Sequence, residues 1–351
     1  MNDEDICTEF QTELWSTLSD VFRKSVTEKI EGGTPTFTLV ALAERNIACL
    51  EKGFASGTIE RDIYRLSTVH EDIRPEAVLG AMLAHATDDD TCTAPRRYVA
   101  CSIVTAAAQD EQLIELANVW VRYLFWPFKA NGCCYRDPSI NETRMSASRS
   151  HFEDALRKRD GNRCVVTRVP DFSEKSAHVG TVTKPAHILK KVGITGKRGE
   201  KLSSEHATWD ILRRFAALSE EEVAELDANI DSIRNGLTLN ICLHSFFDSF
   251  YWTLRPDAIY LDRYHSEPLL ATPSVLYQRR IGVVTFEDHA AELRPNRKLI
   301  QFHYSLSKVL HASAILPRGL YARKTRLLER GRLAFILDRR ENAPTNEHGR
   351  K

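Results

Sequence analysis

The chain has 351 residues, 42% hydrophobic and 27% charged, the balance of a folded globular protein long enough for more than one domain. Its 48 basic residues cancel its 48 acidic ones, and with this apolar content disorder over most of the length is excluded. No apolar run reaches the roughly 18 residues of a membrane span, because the stretch from Trp120 to Phe128 is short and broken by Arg122.

The N-terminal third reads as helical. From Thr8 to Lys29 the residues Phe10, Leu14, Leu18, Val21 and Phe22 recur every three or four positions, and Gly32, Gly33 and Pro35 stop the helix. Thr38 to Lys52 and Pro75 to Ala86 are further predicted helices. Asp88-Asp89-Asp90 reads as a solvated loop, since three consecutive carboxylates cannot face one ion from a regular element. Arg96 to Trp126 is predicted as one long apolar helix closed by Pro127 and Asn131-Gly132. Arg144 to Asp160 is a charged helix ending at Gly161.

The texture then changes. Cys164 to Thr167 is a predicted short buried strand, and Lys190 to Lys201 a basic, Gly-rich loop. A helix is expected over Glu205 to Ala217, with Trp209, Leu212 and Phe215 at helical spacing. Ser219 and Glu222 have the spacing of a capping box for another. Asn235 to Ile241 reads as strand or loop and Cys242 to Phe250 as a short helix. Tyr251–Leu254 and Ala258–Asp262 are predicted to pair as a hairpin across Arg255-Pro256-Asp257. Ile281 to Phe286 is a further strand, Asn296 to Leu310 the last good helix, and the polar tail from Arg339 is expected to be disordered. The fold class expected is α+β.

Charge and cysteines set the context. The segment 1–100 has 10 basic and 18 acidic residues and 101–150 has 5 of each, so 1–150 sums to −8 and 151–351 to +8. The segment 151–201 has 12 basic and 6 acidic residues. The basic part suits a polyanion. Cys7, Cys49, Cys92, Cys101, Cys133, Cys134, Cys164 and Cys242 contain no CxxC pair, so reduced thiols and an intracellular location are expected, with nucleus and cytoplasm not distinguished. The acidic start MNDEDICTEF argues against a signal or transit peptide.

Cys242 to Phe250 is the most informative stretch. Leu243, Phe246, Phe247 and Phe250 make one apolar face, and His244 and Asp248 lie one turn apart at its edge. An imidazole and a carboxylate so spaced can chelate one divalent ion or simply bond each other.

The order of motifs adds to this. The chain reads Arg159-Asp160-Gly161-Asn162-Arg163-Cys164-Val165-Val166-Thr167, later Pro185-Ala186-His187-Ile188-Leu189, then Asn235-Gly236-Leu237-Thr238-Leu239, then Leu243-His244-Ser245-Phe246-Phe247-Asp248. In this order it resembles the HNH nuclease family, in particular fungal HNH-domain proteins, over roughly residues 150–310; Arg294-Pro295 through Phe302-His303-Tyr304 to Leu310 is similar to the helix that closes such proteins. The resemblance implies a ββα-metal module, enlarged by insertions, with a β-hairpin and C-terminal helices, following a mostly helical N-terminal region. The expected domains are 1–145, a helical region of unknown role, 146–338, nuclease-like, and the tail 339–351.

The resemblance further implies hydrolysis of nucleic-acid phosphodiesters, with DNA favoured over RNA. His187 would be the general base, Asn235 would orient it, and His244 with Asp248 would hold a divalent metal, Mg2+ favoured with Mn2+ or Zn2+ as alternatives. His178, in Ala177-His178-Val179, is a second candidate base. Lys184, Lys190, Lys191, Lys197 and Arg198 would meet the nucleic-acid backbone. Ala186 stands where many members carry a ligating Asp or His, and Thr167-Arg168 where they carry Thr-Gly. Two other readings stand beside the nuclease: a non-catalytic HNH scaffold that binds nucleic acid or protein, and an interaction protein whose N-terminal helices engage a protein partner. No membrane association is expected.

Overall fold

A computed structural model describes residues 16–59, 73–86, 93–125, 127–128, 142–174, 180–190, 198–269, 282–286 and 293–315. Among them are ten α-helices and two small antiparallel sheets, an α+β architecture.

The first helix, α1 (Asp20–Glu31), starts where the Ser19 hydroxyl accepts the Phe22 N–H at 3.2 Å, the local bond that favours serine at helix starts. Its last carbonyls would be orphaned; Arg97 donates to Ile30 O at 2.7 Å and to Gly32 O at 2.6 Å. Four helices follow, α2 (Thr36–Ser56), α3 (Pro75–His85), α4 (Ala94–Ala106) and α5 (Asp110–Trp120). Val78, Leu79 and Met82 of α3 are fully buried, as are Val99, Cys101 and Ile103 of α4. A helix covered on nearly every side belongs in an interior, and α3 packs against α2, α4, α5 and the late helix α10 (Arg297–Ala312).

The rest of the chain supplies α6 (Glu142–Arg159), β1 (Thr183–His187), α7 (Arg198–Phe215), α8 (Glu220–Ala228), β2 (Gly236–Asn240) and α9 (Ile241–Asp248). Then come β3 (Trp252–Pro256), β4 (Arg263–Pro268) and β5 (Val283–Thr285). The sheets are β1-β2 and β3-β4-β5. The helix α8 has its capping box, Ser219 and Glu222 each bonding the other's backbone N–H. The helices of the N-terminal part meet this part through α4 against α7 and α3 against α10.

Four expectations are corrected. The long helix over Arg96 to Trp126 is two, because Gln109 is extended (φ −146°, ψ 137°) and Asp110 and Glu111 open a fresh first turn, where acids suit the helix dipole; Val121–Phe125 continues as a π-helical turn. Cys164 to Thr167 is a turn, closed by Arg168 N–H to Cys164 O at 2.8 Å. The hairpin partner of β3 is Arg263–Pro268, with Pro256 inside β3 opposite Tyr264; β3 is an edge strand, where proline is tolerated. Arg198 to Lys201 is the start of α7. In the first predicted helix, residues 8–15 lie outside the described residues, and 16–19 form a 3-10 turn and the cap.

Candidate functional site

The ββα unit is built from β1, β2 and α9. The strands pair Ala186 with Leu237 and His187 with Gly236, and α9 packs on both. The helix is started by Asn240, whose Oδ1 accepts the Leu243 N–H at 2.8 Å. Leu243, Phe246 and Phe247 are buried beneath it.

Polar side chains hold the strands in place. Asp171 accepts Thr183 N–H at 2.7 Å, Thr183 Oγ1–H at 2.6 Å and Ser173 N–H at 2.9 Å. Burial alone would raise this carboxyl, but these hydrogen bonds outweigh it and hold the group well below the usual carboxylate range. At the far side, the Arg159–Asp160 pair is all but fully buried, with contacts of 2.7 and 3.0 Å. Arg159 also donates to Ile233 O at 2.8 Å and Gly236 O at 2.9 Å, and Asp160 accepts Thr238 N–H at 3.0 Å. The Arg-Asp-Gly motif is thus the bolt between α6 and β2. Gly236 lets α6 come close: a Cβ there would fall 2.6 Å from Leu156 Cδ1 and 2.7 Å from Phe152 Cζ.

Asn235 is fully buried. Its Oδ1 accepts Leu189 N–H at 2.8 Å, and its Nδ2 donates to Leu189 O at 2.8 Å and Ile230 O at 2.9 Å. It clamps the chain two residues beyond His187.

His187 ends β1, half-buried, its ring stacked on Phe152 at 4.3 Å between centroids. His187 Nε2 lies 2.9 Å from Asp231 Oδ1. A carboxylate only accepts, so Nε2 carries the proton in this bond and Nδ1 is the basic nitrogen of the neutral ring. Sequence reasoning missed Asp231. Its one signal is position: it sits in the turn just before Gly236, the residue paired with His187.

His244 and Asp248 face each other one helical turn apart, Nε2 to Oδ2 3.8 Å. Burial lowers the His244 pKa; Asp248 opposes this, while Lys190, Lys184 and His187 add to it. The neutral imidazole this favours is the form that ligates metal. Lys190 Nζ lies 3.3 Å from Asp248 Oδ1 and 3.3 Å from its carbonyl oxygen. Ala186 is fully buried and has no ligating atom.

The resemblance read from the sequence implies a divalent metal. The donor set here, one imidazole nitrogen and one carboxylate, fits a hydrated magnesium-class ion that takes one or two protein ligands and keeps its waters. It does not fit structural zinc, which wants four protein ligands; no group of three or more His, Cys, Asp or Glu side chains gathers for a metal among the described residues.

Lys184 is exposed on β1. His178, Lys191 and Lys197 lie outside the described residues, as do Asp88-Asp89-Asp90 and the tail from Arg339, and of Arg198 only the backbone is described. Cys164 is buried in the core, with Thr167 N–H 3.5 Å from its sulfur. Trp252 is core as well, its indole N–H on Ser266 Oγ at 2.6 Å. No described helix is long and apolar enough to cross a membrane.

No curated protein and no solved structure matches the chain. Residues 164–255 do match a family model, described as HNH endonuclease, and this stretch, which runs from the Cys164 turn through β1, β2 and α9 to β3, is the chain's HNH domain.

Proposed function

We propose that the chain is an endonuclease that hydrolyses nucleic-acid phosphodiesters, with DNA as substrate and magnesium as its metal. The HNH domain points to nuclease-type hydrolysis. The observation that carries the finer reading is the β1–β2 register, which sets His187 beside Asn235 and within electrostatic reach of His244. His187 Nδ1 takes the proton of the attacking water, as a neutral imidazole does near physiological pH. Asp231 holds the ring and offsets the charge of the imidazolium that forms. Asn235 ties the chain just beyond His187 to the turn that carries Asp231. His244 and Asp248 would hold the ion, which when bound supplies positive charge at the scissile phosphate and at the departing oxygen. Lys184, Lys190, Lys191, Lys197 and Arg198 meet phosphates without reading bases. Free thiols suit an intracellular setting. The N-terminal helices, 1–145 in this reading, form a separate functional region open to a protein partner.

A second reading is favoured by Ala186, which removes a ligand position: a scaffold that binds nucleic acid without cutting it. Supercoiled plasmid incubated with Mg2+, Mn2+ or EDTA separates the two. The nuclease nicks only with metal, and His187→Ala lowers the rate roughly 10²- to 10⁴-fold, the contribution of a general base, with His244→Ala also inactive. Folded protein that leaves plasmid and RNA intact under every condition would falsify the nuclease and leave the scaffold.

A further inference from the structure

The position of Lys190 in the ββα unit carries an inference that rests on His244 and Asp248 being the ion's ligands. Asp248 is the last residue of α9. Its carbonyl is one of the orphaned acceptors at the negative end of that helix, and its carboxylate is the only anionic ligand proposed for the ion. The Lys190 ammonium contacts both, at 3.3 Å each, with its side chain only 16% exposed. This is a built contact. Asn235 grips Leu189 through both its N–H and its carbonyl, so the backbone delivers Lys190 to the end of α9.

A divalent ion at His244 and Asp248 would share the carboxylate with the ammonium, which holds Oδ1 while Oδ2 faces His244, and it would sit a few ångströms from a like charge. At that range, in a partly buried site, repulsion is worth about a factor of ten or more in affinity. A phosphate changes the balance, because it gives the ammonium another anion and adds negative charge for the ion.

We propose that Lys190 is the protein's own counter-cation for Asp248, which keeps the centre closed to divalent ions until a nucleic-acid phosphate draws the ammonium away. Ion and phosphate then bind cooperatively, and Lys190 is a positioning residue that couples them.

Mn2+ binding to the full chain, read from the free-ion electron paramagnetic resonance signal without nucleic acid, tests this. Lys190→Met keeps the length of the side chain and loses the charge, and it should bind Mn2+ about tenfold more tightly than the native chain. Lys190→Arg keeps the charge and should match the native chain. Asp248→Asn added to Lys190→Met should abolish the gain. In a His187→Ala background, a short DNA duplex should tighten Mn2+ binding when Lys190 is present and add little in Lys190→Met, after correction for Mn2+ held by the duplex alone. Equal affinities for native chain and Lys190→Met, both lost with Asp248→Asn, overturn the inference and leave the ligands standing. No bound Mn2+ in either protein up to millimolar ion overturns the ligands and the inference together. Thermal unfolding of each variant confirms that the comparison is between folded proteins.

Discussion

The helices of the N-terminal part and the ββα unit are held together by different forces. Around α3, Leu79, Met82 and Val99 pack with essentially no exposure, and burial of apolar surface is the dominant favourable term. The ββα unit has two five-residue strands and an eight-residue helix, too little to stand alone. Its strands are fixed by Asp171, Asn235 and the Arg159–Asp160 pair, side chains that bond backbone N–H and carbonyl groups. The difference teaches how a site full of polar atoms is kept rigid: hydrogen bonds from buried side chains fix direction as well as proximity, where apolar packing fixes only proximity.

The sharpest way to break this contrast is Asp160→Ala. It leaves the Arg159 guanidinium buried without its carboxylate, a loss of roughly 3–5 kcal/mol, to be read as a fall in the urea midpoint. Leu79→Ala tests the other region, with an expected cost of about 3 kcal/mol from the cavity left in a dry core. If Leu79→Ala costs clearly more than Asp160→Ala, the ranking of the two regions is reversed.

Acid sharpens the contrast next. His303 of α10 is fully buried, donates from Nε2 to Phe247 O at 3.1 Å and accepts at Nδ1 from Thr253 at 2.9 Å. Burial pushes its pKa down to about 3, and burial also lowers His85, His244 and His311. With folded pKa values below the unfolded one, the unfolded chain binds protons first, so this stability is complete above about pH 6.5 and is lost as pH falls below it. His303 alone accounts for on the order of 1 kcal/mol per pH unit in that range. Melting temperature measured from pH 7.5 to 4.5 should fall, and His303→Gln should flatten the slope.

The smallest effect concerns Arg168, which has φ +59° in the Cys164 turn. That is left-handed backbone, and the family pattern has glycine there. Arg168→Gly should stabilise the protein by about 1 kcal/mol. Calorimetric melting that shows no gain would mean that the arginine side chain compensates for its backbone.

How much of this was legible in the sequence follows from what each feature depends on. The HNH domain was readable because its motifs are local: Ala186-His187-Ile188, Asn235-Gly236 and His244 with Asp248 each act within a few residues, and their order survives the long insertion of α7 and α8. The α4–α5 break was hidden because Ala107 to Gln109 contains no glycine or proline; the acids Asp110 and Glu111 were the available mark. Ile259 and Leu261 fall in the predicted strand Ala258–Asp262, yet they are 80% and 74% exposed at the hairpin tip, where no packing selects the strand. Asp231 on His187 and Lys190 on Asp248 were invisible for another reason. Each contact spans more than forty residues and exists only once β1 and β2 have paired.

That pairing has a consequence for synthesis. His187 leaves the ribosome with β1, but its partner strand, Asn235 and α9 follow only after α7 and α8, about fifty residues later, and contacts so distant along the chain form late. A nascent or prematurely terminated chain ending before Gly236 carries the histidine without the register that gives it neighbours. On the proposed function, unfinished copies would therefore lack the assembled centre, which would exist only on chains read through β2 and α9.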